Sequence, residues 1–192
     1  MGFRPAVRIA RLHMMTTDAL LLDTEHRLFT ERFDAFAPEA RLWRPGPEQW
    51  NANDVMEHLV RVEEGLIVGL ERQIAAGEGR RDVGVPSPEA LEAVRRFLRS
   101  GGRTRVPARA TAHITPQGDD PCEVRERWDR LPSRWREALG SVPEALADVG
   151  LLLHPRAGAI TARGAALFAT DHRAHHAAQL KRLQEAEGFP GG

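Results

Sequence analysis

The chain has very little cysteine and no long apolar run, and each shortage excludes a class of protein. The single cysteine, Cys122, excludes an intrachain disulfide framework and a thiolate metal cluster. No apolar stretch approaches the roughly 20 residues that a membrane-spanning helix needs, and the basic N-terminus lacks the apolar centre of a secretory signal. The 27 Lys and Arg residues only balance the 27 Asp and Glu residues, which argues against sequence-independent nucleic-acid binding, because that binding depends on neutralising phosphates. We therefore expect a cytoplasmic protein that binds neither membranes nor nucleic acid.

The length of 192 residues suits one domain with its own apolar core. Residues 1–15 form a weakly patterned leader, for which we consider disorder or an extended, misassigned start. Residues 16–187 carry the helical pattern, and residues 188–192 form a tail. The sequence therefore predicts one helical domain with short extensions at both ends.

Four long segments carry apolar residues at helical spacing, and no segment shows a strong strand alternation. The long helices are expected at about 17–38, 51–76, 122–139 and 161–187. Thr17, Asn51 and Thr161 are suitable N-caps, and Asp54 resembles the second member of a capping box. Pro132 lies inside the third helix and is expected to kink or divide it.

The connection over 77–120 is long and contains one short helix at about 88–99, for which Ser87 is the expected cap. A second short helical piece is expected near 143–149. Antiparallel neighbours in a bundle need only short loops, whereas parallel neighbours need a long crossover. The pattern therefore predicts an all-α four-helix bundle in which the second and third long helices are parallel.

Three of the eight histidines, His172, His175 and His176, lie within five residues. His172 and His176 are four positions apart, so they share the inward face of the last helix. His58 lies on the inward stripe of the second long helix. Three imidazoles from facing helices can bind one divalent ion and leave a coordination position open, which is typical of a catalytic site. The alternative is a set of buried core histidines with ordinary hydrogen bonds, and the spacing alone leaves both interpretations open.

Three segments together resemble the DinB/YfiT-like superfamily, especially its DinB-like branch. Residues 43–59 have a proline-containing link, a Trp, a small capping residue and a run ending in His58-Leu59. Residues 154–161 are similar to the family's His-Pro approach to the last helix, and 172–180 are similar to its His-x-x-x-His-x-x-Gln signature. The resemblance covers about residues 17–186 and identifies 16–187 as a DinB-like four-helix bundle.

The resemblance implies an up-down-down-up helix order, frequent homodimers and a metal site with three ligands. Carried over by position, those ligands are His58, His172 and His176. His175 remains an alternative to His176, because a spacing of three also shares a helix face. Neutral imidazole suits Zn, Ni, Cu or Fe, and composition does not choose among them; we expect Zn or Ni first, with Fe or Cu as alternatives.

Several polar residues beside these histidines have two interpretations. Asp54 can hold the second ring nitrogen of His58, although we prefer its capping role. Glu63 and Glu64 can act as general bases if they reach the site, although solvated glutamates are the expectation. Gln179 either bonds within the site or packs beside it. Asp171 is expected at the flank of its helix.

The other unusual residues are expected to have structural roles. His154 is expected to be a loop residue and not a ligand, and Cys122 is not expected to be a nucleophile. The tryptophans are expected to form core or dimer contacts and not a binding site; they are Trp43, Trp50, Trp128 and Trp135. The remaining histidines are expected at the surface; they are His13, His26 and His113.

The family resemblance suggests thiol-dependent transfer to a small-molecule substrate, with bacillithiol or mycothiol as the kind of cosubstrate. The chain shows no convincing nucleophile, and a bound metal ion lowers the pKa of a coordinated thiol. Arg61 is either a contact for the carboxylates of the thiol or a solvent-facing residue. Three alternatives remain open: a metal-dependent hydrolase, a non-catalytic stress-associated metal-binding protein, and a helical dimerisation module without metal.

Overall fold

A computed structural model describes residues 5–77, 81–102 and 113–190, with side chains from residue 17 onward. The described part is mostly helical, and none of its helices is long and apolar enough to cross a membrane. Its α-helices are α1 Pro5–Asp34, α2 Ala52–Ala75, α3 Pro88–Arg99, α4 Pro121–Gly140 and α5 Ala162–Gln184. Its strands are β1 Leu152–His154 and β2 Gly158–Ile160, and short 3-10 helices cover Ala40–Leu42 and Glu144–Leu146.

The predicted starts of three helices are confirmed by their capping contacts. The Asn51 side chain accepts from the Asp54 backbone N–H, and the Asp54 carboxylate accepts from the Asn51 N–H, each at 2.8 Å. These two bonds form the capping box of α2. Ser87 caps α3 and Thr161 caps α5 in the same way, through their side-chain oxygens. These contacts therefore fix the starts of α2 and α5, the two helices that carry the three candidate histidine ligands.

The predicted start of the first helix is wrong, and the proline that was expected to kink or divide the third helix does not divide it. The first helix begins at Pro5, so Thr17 lies inside α1 and is not its N-cap. No Gly or Pro follows Pro5 until Pro38, so nothing in this stretch interrupts a helix. Likewise, α4 continues through Pro132. Buried residues precede and follow that proline, so core packing holds both halves of the helix in place.

The all-α prediction needs a correction, because β1 and β2 form a small antiparallel sheet. Leu152 pairs with Ile160 and His154 pairs with Gly158. Gly158 has a φ of 69°, a conformation that glycine adopts at no steric cost. Each strand has three residues, too few for an alternating pattern to be visible in the sequence. The helical piece expected at 143–149 is the 3-10 helix Glu144–Leu146.

One hydrophobic core includes residues of α1, α2, α4 and α5. Trp128 and Trp135 of α4 are among its largest buried side chains, together with Phe29 of α1 and Leu59 of α2. Helix α5 contacts α1, α2 and α3, and α2 also contacts α4 along its length. This packing places the inward faces of α2 and α5 next to each other, which positions the site described below.

Candidate metal centre

Three buried imidazoles meet where α2 faces α5. His58, His172 and His176 are 3%, 7% and 6% exposed. The Nε2 atom of His172 lies 3.3 Å from Nε2 of His58 and 3.0 Å from Nε2 of His176. One possible ligand atom from each residue lies within 4.8 Å of the others. Two nitrogens bound to a tetrahedral ion at about 2.0–2.1 Å lie about 3.3 Å apart, so this arrangement can hold a metal ion.

Hydrogen bonds on the far side of two rings determine where their protons are. His58 Nδ1 donates to the Ile114 carbonyl oxygen at 2.7 Å, and His176 Nδ1 donates to Gln179 Oε1 at 2.8 Å. A neutral imidazole has one N–H, so Nε2 of each ring carries a lone pair directed at the shared centre. Both bonds are of the kind that orients histidine ligands in metal sites.

Burial keeps the three rings neutral. It lowers the pKa of His58 to about 4, against a smaller opposing effect of the hydrogen bond to Ile114. Burial also lowers the pKa values of His172 and His176 well below the usual 6.5, and the neighbouring imidazoles lower them further. A divalent cation binds nitrogen lone pairs that converge on one point and are not protonated. The donor chemistry of these residues therefore fits a bound ion.

His172 is held in a different way from the other two rings. Its Nδ1 is buried and has no hydrogen-bond partner among the described residues. The ring instead stacks on Phe168, with centroids 5.1 Å apart and planes 20° from parallel. Packing along α5 therefore orients this imidazole.

A cavity of about 490 Å³ opens beside the three rings. Its wall includes Trp50, Phe97, Leu98, Gln179 and Arg182, and the Trp50 ring centroid lies 4.8 Å from that of His58. The volume suits a small organic molecule. No Asp, Glu, Ser, Thr, Cys or Lys lines the cavity among the residues that the structure describes.

Glu57 binds the loop that also contacts His58, and the sequence analysis did not identify this role. Its buried carboxylate accepts from the backbone N–H groups of Gln117, Gly118 and Asp119 at 2.7, 3.1 and 3.2 Å. It also accepts from Arg61 Nε at 2.7 Å. The Ile114 carbonyl, which accepts the hydrogen bond from His58 Nδ1, lies three residues before Gln117 in the same loop. An acidic residue directly before a predicted ligand was the available signal.

The structure distinguishes between several alternatives near the triad. His175 Nδ1 donates to the Leu98 carbonyl at 3.1 Å, so His175 contacts α3, while His176 joins the cluster. Gln179 bonds to His176 and does not merely pack beside it. Asp54 caps α2 and pairs with Arg44 at 2.8 Å, which supports the capping role over contact with His58.

The expectation that Glu63 is solvated is wrong. Glu63 and Arg173 are both 0% exposed, and they form a two-pronged ion pair at 2.6 and 2.8 Å. Trp135 Nε1 donates to Glu63, and Arg173 donates to the Leu22 carbonyl, both at 2.6 Å. This network satisfies the buried charges. It also joins four helices beside His172, so Glu63 is engaged in structure and not placed as a base.

Three other charged residues also form ion pairs that the sequence analysis did not predict. Asp171 is buried, not placed at the helix flank, and it pairs with Arg95 and Arg99 of α3 at 2.6 and 2.9 Å. Arg61 pairs with Glu57 and Asp119 and is therefore not a free solvent-facing residue. Glu64 is partly exposed and pairs with Arg127. These pairs bind helices and loops together.

His26 is not a surface residue as expected. Its ring stacks on Trp128 at 4.4 Å, and its buried Nδ1 has no partner among the described residues. Burial and the positive charge of Arg173 lower its pKa to about 3. His113 is exposed as expected, whereas the side chain of His13 lies outside the described residues.

His154 was expected in a loop but is the last residue of β1, and its Nδ1 accepts from the backbone N–H groups of Arg156 and Ala157 in the turn before β2. Trp128 and Trp135 are core residues as expected. Trp43 packs on Phe189. Trp50 differs from the expectation, because it lines the cavity. Cys122 is exposed at the start of α4.

The fold and the site define a mostly helical protein with a candidate three-histidine metal centre at the edge of a small-molecule cavity. The family model of the DinB superfamily matches residues 21–180, a span that includes all three histidines. The chain belongs to the DinB superfamily. A search of curated proteins and of solved structures finds no match.

Proposed function

We propose that this protein is a metal-dependent S-transferase that uses a low-molecular-weight thiol such as bacillithiol or mycothiol. The observation that carries this proposal is the convergence of three neutral imidazoles beside a cavity whose described lining offers no serine or cysteine nucleophile. His58, His172 and His176 would hold the ion, with Zn or Ni expected first and Fe or Cu as alternatives. The three protein ligands leave a position for a further ligand.

The surrounding residues supply orientation and shielding. Ile114 and Gln179 hold two of the ligand rings by their Nδ1 atoms. Trp50 and Phe97 provide apolar walls that exclude water from the reacting groups. When bound, a divalent ion lowers the pKa of a thiol and so makes it a nucleophile at neutral pH. The thiol proton passes to solvent, sulfur forms a bond to an electrophilic carbon, and the leaving group departs with its bonding electron pair.

The described lining of the cavity calls for an external nucleophile, and the family resemblance favours a thiol over the water of the hydrolase alternative. The described lining offers no serine or cysteine for covalent catalysis, and no carboxylate to deprotonate water. A thiol whose pKa is lowered by a metal needs neither group. Cys122, the only cysteine, does not line the cavity.

The wider context of the protein is part of the same proposal. We expect helices α1, α2, α4 and α5 to follow the up-down-down-up order of a DinB-like bundle, with the chain between α2 and α4 as the crossover. We also expect a homodimer that works in the cytoplasm on a small-molecule substrate. Size-exclusion chromatography with light scattering tests the oligomeric state.

A turnover assay on metal-loaded protein tests the function. The protein is mixed with a thiol and a chlorinated or epoxide electrophile, and the thioether product is measured by mass spectrometry. The matched controls are the triple variant His58→Ala/His172→Ala/His176→Ala and the surface variant His113→Ala. We expect thiol-dependent turnover in the wild type and in His113→Ala, and none above background in the triple variant.

The alternatives give different results in the same experiment. Turnover without thiol would identify a hydrolase. Tight metal binding without turnover would identify a metal-binding protein. Elemental analysis that finds no bound metal in native protein would leave a helical dimerisation module.

A further inference from the structure

The cavity beside the triad has one fixed charge among its described residues. Arg182 is its only arginine, and no lysine or carboxylate lines it. Arg95 and Arg99 of helix α3, by contrast, are both paired with Asp171. Within the described ranges, no ion pair involves Arg182. The cavity is therefore electropositive at one side and has a cation available to a ligand.

Arg182 lines the same cavity as the triad and lies on α5 with His172 and His176. Positions 176, 179 and 182 are spaced by three residues, and a rise of 1.5 Å per residue places Arg182 about 9 Å beyond His176 along the helix axis. Helical side chains incline towards the N-terminus, and both Gln179 and Arg182 line the cavity.

Apolar side chains form part of the wall beside Arg182. Trp50, Phe97 and Leu98 line the cavity, and Leu98 is 9% exposed. A partly enclosed guanidinium binds a carboxylate through two parallel N–H···O bonds, and such charge-assisted bonds are about twice as strong as neutral ones. A single arginine supplies enough donors for a carboxylate, whereas phosphate sites commonly combine several donors.

We propose that Arg182 is a specificity-determining residue, and that the cavity binds a small amphipathic carboxylate whose other end reaches the histidine centre. The carboxylate lies on the guanidinium and the apolar middle of the molecule lies between Trp50 and Phe97. The role of the ligand end that reaches the histidine centre rests on the proposed function, whereas recognition of the carboxylate by Arg182 does not require a metal.

Two binding measurements test this proposal. The first uses Co²⁺-loaded protein and follows the thiolate-to-cobalt absorption band during titration with ω-mercaptoalkanoates and with the matched ω-mercaptoalcohols. The second uses metal-free protein and ligand-observed NMR, with 4-phenylbutyrate against 4-phenylbutanol. Both are run on wild type, Arg182→Gln, Arg182→Lys and the control Arg130→Gln, whose exposed side chain pairs only with Glu126 in the described part.

We expect the carboxylates to bind wild type and Arg130→Gln about tenfold or more tightly than the alcohols, in line with a charge-assisted bidentate contact. Arg182→Gln should remove this preference, and Arg182→Lys should keep a part of it. Thermal melts establish that the variants are folded. Equal affinity for carboxylates and alcohols, or a preference that survives in Arg182→Gln, would overturn the proposal.

The two measurements separate this inference from the proposed function. If the protein fails to bind cobalt, the metal proposal fails, and the NMR arm still decides whether Arg182 recognises the carboxylate. If thiols bind to cobalt without regard to the carboxylate, the metal proposal stands and the role of Arg182 is refuted.

Discussion

Replacing Glu57 by Gln should weaken metal binding although Glu57 is not a ligand. The carboxylate accepts three backbone N–H bonds, at 2.7, 3.1 and 3.2 Å, and a fourth bond from Arg61. Gln has nearly the same shape but replaces one oxygen by an NH₂ group, which cannot accept. Each oxygen accepts two of the four bonds, so two of these donors then face another donor. The change therefore disrupts the anchored chain segment while preserving the volume of the side chain.

The structure sets the expected magnitude. Hydrogen bonds to a charged group contribute about 1.5–3 kcal/mol each, and Glu57 is only 3% exposed, so solvent replaces little of the loss. Arg61 keeps its second partner, Asp119. We expect the free energy of unfolding to fall by about 2–4 kcal/mol. The displaced Ile114 carbonyl should also release the His58 ring, and losing such a partner typically costs about 10–100-fold in metal affinity.

Two assays check this prediction on the same protein samples. Denaturant unfolding gives the change in stability, and competition with a chromophoric chelator gives the metal affinity. Glu126→Gln is the matched control, because Glu126 is exposed and pairs with Arg130 within one helix; its effect should stay within about 0.5 kcal/mol. If folded Glu57→Gln binds metal as tightly as wild type, the proposed support of His58 by this segment is refuted.

Three further predictions concern the interior and the cavity wall. Arg173→Met leaves Glu63 buried without its partner and should cost about 3–5 kcal/mol in denaturant unfolding; a double variant with Glu63→Leu should recover most of this, and no recovery would contradict the ion-pair explanation. His26 has a pKa of about 3 when folded, so below pH 6.5 the unfolded state binds the extra proton. The part of the stability that depends on His26 should therefore decline as pH falls from 6.5 towards 3, by up to about 1.4 kcal/mol per pH unit, and an unchanged slope in His26→Phe would exclude a contribution of His26. Gly102→Ala would place a Cβ 2.3–2.7 Å from atoms of the Phe97 ring, so ligand affinity should fall several-fold in titrations while metal affinity stays unchanged; equal ligand affinity would show that the ring does not form the binding wall.

The local features of the fold were predictable because they depend on short-range patterns. The short helix at 88–99 has the predicted bounds, since Ser87, Pro88 and the following glycines mark both of its ends. The inward position of His58 follows from its place among the apolar residues of α2. The spacing of His172 and His176 fixes their shared face. Helix periodicity thus determined the directions of all three imidazoles before their partners were known.

The long-range pairs were not predictable in this way. Glu63 and Arg173 are 110 residues apart, and a charged residue taken alone is most often solvated. The same reasoning failed for Asp171, whose partners lie on α3. The pattern also does not predict which loop will supply a carbonyl to His58. Such contacts depend on how elements pack, and periodicity within one element carries no information about them.

Helix α3 has a consequence for how new substrates can arise on this scaffold. It contributes Phe97 and Leu98 to the cavity, but the three imidazoles come from α2 and α5. Its attachment to α5 includes the ion pairs of Asp171 and the bond from His175 to Leu98. The stretch 81–102 can therefore change in sequence, or be exchanged for that of a relative, while the chemistry of the triad is retained. Such changes would alter the apolar wall of the cavity but not Arg182, which lies on α5 with two of the three histidines.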